Sequence, residues 1–332
     1  MHIVQQPDEI THFPMAYLID EDQELTIEDV TDRRFTPTSS KSSLPAEIPV
    51  IWLRMSITND SLEPQLLQLH NNSAYFSGQI DIYAYSGPER IDQRHYQIDQ
   101  PNGDLYLTGS TLVYPFELKA DESRILYIRV ATALATQIID WDIYDSKQAS
   151  QALIDKNLAA NTVLVILLTL SIYNLILFFY GWRKEYLFYS LYLINAAIGL
   201  SYMYGTIYHN FNLYGSLTNW FNLTAIMVPL FLMLFVRHTF DTQTIGGWVE
   251  RWLKTTIALS LLIVAIALTV DLLLSFKLII VVFTSSFITL LILGVKLYRQ
   301  NHPTDQDIYR GLHCLCHRND HLHPDALRRY AL

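Results

Sequence analysis

The sequence predicts a membrane protein of two parts, an N-terminal all-β sandwich followed by an α-helical transmembrane bundle. Three observations carry this. Five apolar stretches follow one another from Leu158 to Val295, short alternating runs fill residues 18–145, and the charge balance changes sign between the two regions. Residues 1–157 hold 24 acidic and 11 basic side chains, a balance of −13, and the remainder hold 8 and 12, a balance of +4, which together give the −9 of the chain.

Residues 1–17 read as a lead-in. They are polar and acidic, and the apolar run FPMAYLI at 13–19 contains Pro14 and follows no basic region. A signal peptide is therefore not recognisable, and the expectation is that the start of an exported chain has been lost.

Residues 18–150 read as an extracytoplasmic β-sandwich. In VIWLRMSITND, Ile51, Leu53, Met55 and Ile57 point one way while Trp52, Arg54 and Ser56 point the other. Ile80, Ile82 and Ala84 likewise oppose Asp81, Tyr83 and Tyr85, and Leu126, Ile128 and Val130 oppose Tyr127 and Arg129. Turn residues at Asn59-Asp60-Ser61, Ser86-Gly87-Pro88, Pro101-Asn102-Gly103 and Ala120-Asp121-Glu122 separate the runs, a spacing that indicates two packed antiparallel sheets. Both cysteines, Cys314 and Cys316, fall after the fifth apolar stretch, so this domain is held by its hydrophobic core without a disulfide.

The polar strand faces collect Trp52, Arg54, Asp81, Tyr83, Tyr85, Tyr127 and Arg129. Flat rings cover the C–H face of a sugar, and fixed charges take its hydroxyls, so these seven residues are the candidate ligand-binding set for a small molecule or glycan. The competing reading is that aromatic residues are favoured in any strand and that packing buries some of them.

Residues 157–298 read as the transmembrane domain, with spans at about 158–180, 186–206, 217–236, 255–274 and 278–295. Each approaches the roughly 20 residues needed to cross a bilayer, and five in succession would leave a soluble fold no polar face. Arg183 and Lys184 lie between spans one and two, Arg237, Arg251 and Lys254 between three and four, and Lys296 and Arg299 after five, whereas residues 205–216 hold neither Lys nor Arg. Basic loops stay cytoplasmic, which puts the sandwich outside and the C-terminus inside. Asp271 is the one acidic residue within a span, too little for an ion pathway. Asn174, Asn195, Asn222 and Ser201 read as interhelical hydrogen-bonding groups, and Pro229 as a kink in span three.

LTIEDV (25–30), VIWLRMSITN (50–59), IDIYAYSG (80–87), YPFELKADESRILYIRV (114–130) and YNLILFFYGWRKEYLFYSLYL (173–193) together resemble the bacterial seven-transmembrane receptors with diverse intracellular signalling modules, of the kind with the second type of extracellular domain. The resemblance spans roughly residues 18–300. It implies a jelly-roll-like sandwich that binds carbohydrate-like ligands in the periplasm and an inner-membrane location. It also implies seven spans and a cytoplasmic output module, whereas the sequence shows five spans and then residues 299–332.

That tail contains His313, Cys314, Cys316 and His317, weak candidates for zinc because Cys-x-Cys lacks the spacing of a structural site. No metal and no cofactor is expected. Its abrupt His- and Arg-rich composition is what a shifted reading frame produces. The function expected is a non-enzymatic sensor in contact with membrane lipid, relaying an outer ligand to a separate cytoplasmic signalling protein and not touching nucleic acid. The alternatives are a transporter or channel, or a non-functional truncated receptor.

Overall fold

The computed structural model of the chain describes residues 1–3, 9–46, 48–74, 77–100, 105–132, 136–211, 213, 215–240, 247–270 and 272–301. Thirteen strands are among them. They are β1 (His2–Ile3), β2 (Glu9–Ile10), β3 (Pro14–Ile19), β4 (Thr36–Ser39), β5 (Lys41–Ala46), β6 (Val50–Asn59), β7 (Gln65–Asn71), β8 (Ser77–Ser86), β9 (Glu89–Gln97), β10 (Tyr106–Thr108), β11 (Thr111–Leu118), β12 (Ser123–Thr132) and β13 (Thr136–Asp145), with a short helix α1 (Ile27–Thr31) after β3.

They form two sheets, one ordered β4-β3-β6-β12-β8-β9 and the other β10-β11-β7-β13-β2. β1 adds to β6 in parallel, and β5 pairs with β13. His2–Ile3 and Glu9–Ile10, inside the stretch expected as a lead-in, therefore belong to the sheets. The Met1 ammonium donates to the Ser56 carbonyl at 2.8 Å.

The period-two pattern decides which side chains meet between the sheets. Ile51, Leu53, Met55 and Ile57 of β6, Ile80, Ile82 and Ala84 of β8, and Leu126, Ile128 and Val130 of β12 all enter one buried cluster. Leu67, Leu69, Trp141 and Ile143 of the second sheet close it. Burial of this size is what lets a sandwich stand without a disulfide.

Strand β13 runs without a loop into α2 (Ser146–Gly181), where the Asp145 carboxylate accepts from the Lys147 amide at 3.1 Å and caps the helix. Its 36 residues make about 54 Å, well beyond a hydrocarbon core of roughly 30 Å, so its first turns stand outside the membrane. α3 (Lys184–Met203), α4 (Thr206–Phe211), a 3-10 turn (Ser216–Phe221), α5 (Asn222–Thr239), α6 (Gly247–Thr269) and α7 (Leu272–Asn301) follow. Five helices among the described residues are long and apolar enough to cross a membrane.

Apolar side chains such as Ile172, Ile176 and Phe179 of α2 face outward, while small polar groups face inward. That is the arrangement lipid favours, because hydrocarbon solvates Ile and Phe but cannot hydrogen-bond a serine. Ser171 and Ser190 meet across α2 and α3, with hydroxyls 2.8 Å apart. Asn174 and Asn195, expected to bridge helices, instead donate to the Leu170 and Leu191 carbonyls of their own helices. On the inner side, Glu250 of α6 takes Arg237 of α5 at 3.0 Å and Lys254 at 3.2 Å. Asp271 and the cluster His313, Cys314, Cys316 and His317 lie outside the described residues.

Candidate ligand-binding face and the sandwich–bundle junction

Strand register brings the seven candidate residues onto one outer face. Arg54, Tyr127 and Tyr83 stand side by side across β6, β12 and β8, and Trp52, Arg129 and Asp81 form the adjacent row. Tyr85 follows one step along β8.

The face is not an open aromatic platform. Trp52 is 1% exposed and Tyr127 6%, because Ile27 and Val30 of α1, with Phe35, pack over them. α1 is fixed there by its start: the Asp29 carboxylate accepts from the Thr26 amide at 3.0 Å and hydroxyl at 2.7 Å. Trp52 stacks on Tyr83 with centroids 5.9 Å apart, and Tyr85 meets Tyr127 edge-on at 5.7 Å. The Arg54 guanidinium lies 5.0 Å above the Phe35 ring. Trp52 and Tyr127 thus hold the helix on the sheet and offer no ring face to a ligand.

Beside that covered patch lies a cavity of about 530 Å³. Asp81, Tyr83 and Arg129 line it, joined by Glu28 of α1 and by Arg90 and Gln93 of β9. Asp81 is buried and held from three sides: His95 Nδ1 pairs with one carboxylate oxygen, and Gln79 Nε2 at 2.8 Å and Arg129 at 3.6 Å reach the other. Burial, and next the Asp81 charge, push the Tyr83 phenol above its ordinary pKa, so it stays a hydrogen-bond donor. The buried Trp52 indole N–H lies on the same wall with no partner among the described residues. Arg90 and Gln93 were missed by the sequence reading. The signal available was the Ser86-Gly87-Pro88 break, since a hairpin there sets β9 beside β8 and places Gln93 opposite Tyr83 and Arg90 opposite Tyr85.

Several contacts among the described residues join the sandwich to the bundle. Lys156 of α2 donates to Thr111 Oγ1 at 2.7 Å and Asn72 Oδ1 at 3.3 Å. Asp99 accepts from the Ser216 amide at 2.6 Å. The β10–β11 turn at Gly109-Ser110 presses on Tyr204 and Gly205, at the end of α3.

A periplasmic sandwich with a polar cavity, joined by a continuous helix to a membrane-crossing bundle, defines a transmembrane sensor. The family described as 7TM diverse intracellular signalling matches residues 157–305, and that described as 7TMR-DISM extracellular 2 matches residues 14–144. The chain belongs to this family of bacterial seven-transmembrane signalling receptors, and it is a multi-pass inner-membrane protein with its sandwich on the periplasmic side. The two matched descriptions name a membrane-spanning signalling region and an extracellular region. No curated protein matches the chain.

Proposed function

We propose that this receptor takes a small polyhydroxylated, carbohydrate-like ligand in the cavity beside α1, and that the bound sandwich biases the helices for a separate signalling protein in the cytoplasm. The observation that supports this most is the cavity's lining. Arg90, Arg129, Gln93 and the Tyr83 phenol supply donors, the buried Trp52 N–H is an unused donor, and Glu28 is an acceptor. Hydroxyl-rich ligands need such a mixture, because each hydroxyl both donates and accepts. The site set is accordingly Asp81, Tyr83, Arg129, Arg90 and Gln93, with Trp52, Tyr85, Tyr127 and Arg54 supporting the wall.

The relay runs through α2, which leaves β13 without a joint, and through the turn at Ser110. A ligand shifts these only by as much as its affinity differs between the two arrangements. Titration of the full-length chain with neutral hexoses and with hexuronates tests the reading. Binding by one class, weakened at least tenfold in Arg90→Ala with the thermal midpoint unchanged, is the expected result. Binding insensitive to Arg90→Ala and Gln93→Ala, or none with either class, overturns it.

A further inference from the structure

A second cavity, of about 420 Å³, lies where the sandwich meets the bundle, on the opposite sheet from the proposed sugar site. Its sandwich wall includes Asn72, Ser110 and Asp140, and its helical wall includes Leu153, Lys156 and Met203. We propose that this junction cavity is a second ligand site, one that takes an oxyanion, carboxylate or phosphate, carried on a short apolar body.

The charged groups around it have direct ionic partners, with one exception. Lys41 is paired with both Asp140 and Asp142, the latter at 2.7 Å, and the one charge by which the two carboxylates exceed it is balanced at longer range by Lys156. Asn72 donates to Asp142 at 2.5 Å and turns its carbonyl oxygen to Lys156. Lys156 is the exception. Its ammonium has three N–H donors, of which two go to the neutral oxygens of Asn72 and Thr111, and no described carboxylate lies within ion-pair distance. A half-buried ammonium whose hydrogen-bond partners are both neutral and which keeps one spare donor favours an anion, which supplies the missing hydrogen bond.

Two further groups point the same way. The Ser110 hydroxyl is buried on the same wall, 2% exposed, and has no hydrogen-bond partner among the described residues. His70, also on the wall, is held neutral by burial, with its pKa at about 4, so it adds no charge to those of Lys41 and Lys156. Ala152, Leu153 and Met203 supply the apolar side, which a bare inorganic ion would leave unfilled. An occupant would touch α2, the end of α3 and the sandwich together. Its lining shares no residue with the outer cavity, while α2 and the Ser110 turn link it to the relay proposed above.

An oxyanion on an apolar body has two sources beside a membrane: the phosphodiester of an outer-leaflet lipid, or a soluble short-chain acid. The full-length chain in phosphate-free maltoside detergent separates them. Hexanoate is added in one arm, phosphatidylglycerol in the second, and hexanol, with the same body and no charge, in the third. The thermal midpoint should rise with hexanoate, identifying a soluble acid, or with phosphatidylglycerol, identifying a lipid headgroup, and not with hexanol. The rise should vanish in Lys156→Gln, and Ser110→Ala should raise the half-saturating concentration about tenfold. No rise in either charged arm, an equal rise with hexanol, or a rise that survives both substitutions overturns the proposal. Because Arg90→Ala leaves this cavity untouched, the two sites fail or succeed separately.

Discussion

Gly205, just past the outer end of α3, faces the β10–β11 turn so closely that a Cβ on it would collide with the Ser110 amide nitrogen and lie 2.7 Å from Ser110 Cα. Its φ of +73° adds a second reason for glycine. Across the contact, Gly109 has φ +61°, and a Cβ there would lie 3.0 Å from Asn157 Oδ1 of α2. The backbone of the sandwich is thus seated directly between two membrane helices.

Gly205→Ala should unseat that turn. The expected result is at least tenfold faster amide exchange over residues 108–112, with the thermal midpoint of the sandwich core nearly unchanged. Gly87→Ala is the control: φ there is +60°, but nothing lies within 4 Å of its Cβ direction, so it carries only the left-handed strain of about 1–2 kcal/mol. Unchanged exchange in Gly205→Ala would show that the contact does not hold the turn.

Substitutions on the outer face should divide by burial and not by residue type. Trp52→Ala removes a ring that is 1% exposed between β6 and α1, and should cost about 3–5 kcal/mol by chemical denaturation. Arg90→Ala, at an exposed position on β9, should change stability by less than about 0.5 kcal/mol and act on ligand binding alone. Equal stability losses would mean that Arg90 is part of the core packing.

That division marks how much of the molecule could be read from one dimension. The spans were legible because crossing a bilayer requires a long apolar run, which is a property of consecutive residues. The inner sandwich face was legible because alternation on β6, β8 and β12 separates Ile and Leu from Arg and Tyr. Alternation says which way Trp52 points but not what covers it, and α1, more than twenty residues earlier in the chain, does the covering. The junction cluster was invisible for the same reason, since Asn72 and Lys156 are 84 residues apart. Asn174 and Asn195 misled because an amide inside a helix can satisfy itself on the carbonyl four residues back.

The His70 site makes the sandwich acid-sensitive. His70 is buried between Gln68, whose Oε1 lies 3.3 Å from its Nε2, and the Tyr144 ring at 4.8 Å. Burial first, and the Lys156 charge second, lower its pKa from 6.5 to about 4. The unfolded chain therefore binds a proton that the folded chain refuses between pH 6.5 and 4, so stability falls as pH falls through that window and levels off below it. The shift corresponds to roughly 3 kcal/mol at most. Asp142, whose pKa burial raises, opposes this slope at the acid end. The full-length chain should lose several degrees of thermal midpoint from pH 7 to pH 5, and His70→Gln should lose less. Parallel losses in the two proteins would assign the acid sensitivity elsewhere.

The seam between α2 and α3 gives the last test. Ser171 and Ser190 are each 2% exposed or less, their hydroxyl oxygens are 2.8 Å apart, and each hydroxyl also reaches the other's backbone carbonyl, at 3.2 and 3.0 Å. Small side chains let the two helices approach, and the reciprocal bonds hold them. Removing one hydroxyl leaves the other free to donate to the opposite carbonyl, so Ser171→Ala or Ser190→Ala alone should cost only about 0.6 kcal/mol in detergent-mediated unfolding. The double substitution removes both donors and should cost more than the sum of the single changes, a coupling that a double-mutant cycle reads directly. Ser171→Leu should be worse than any of these, by about 1–3 kcal/mol, because it forces a branched side chain into the helix contact. Additive single costs would show that the two hydroxyls act separately, and a tolerated leucine would show that α2 and α3 do not rely on this close approach.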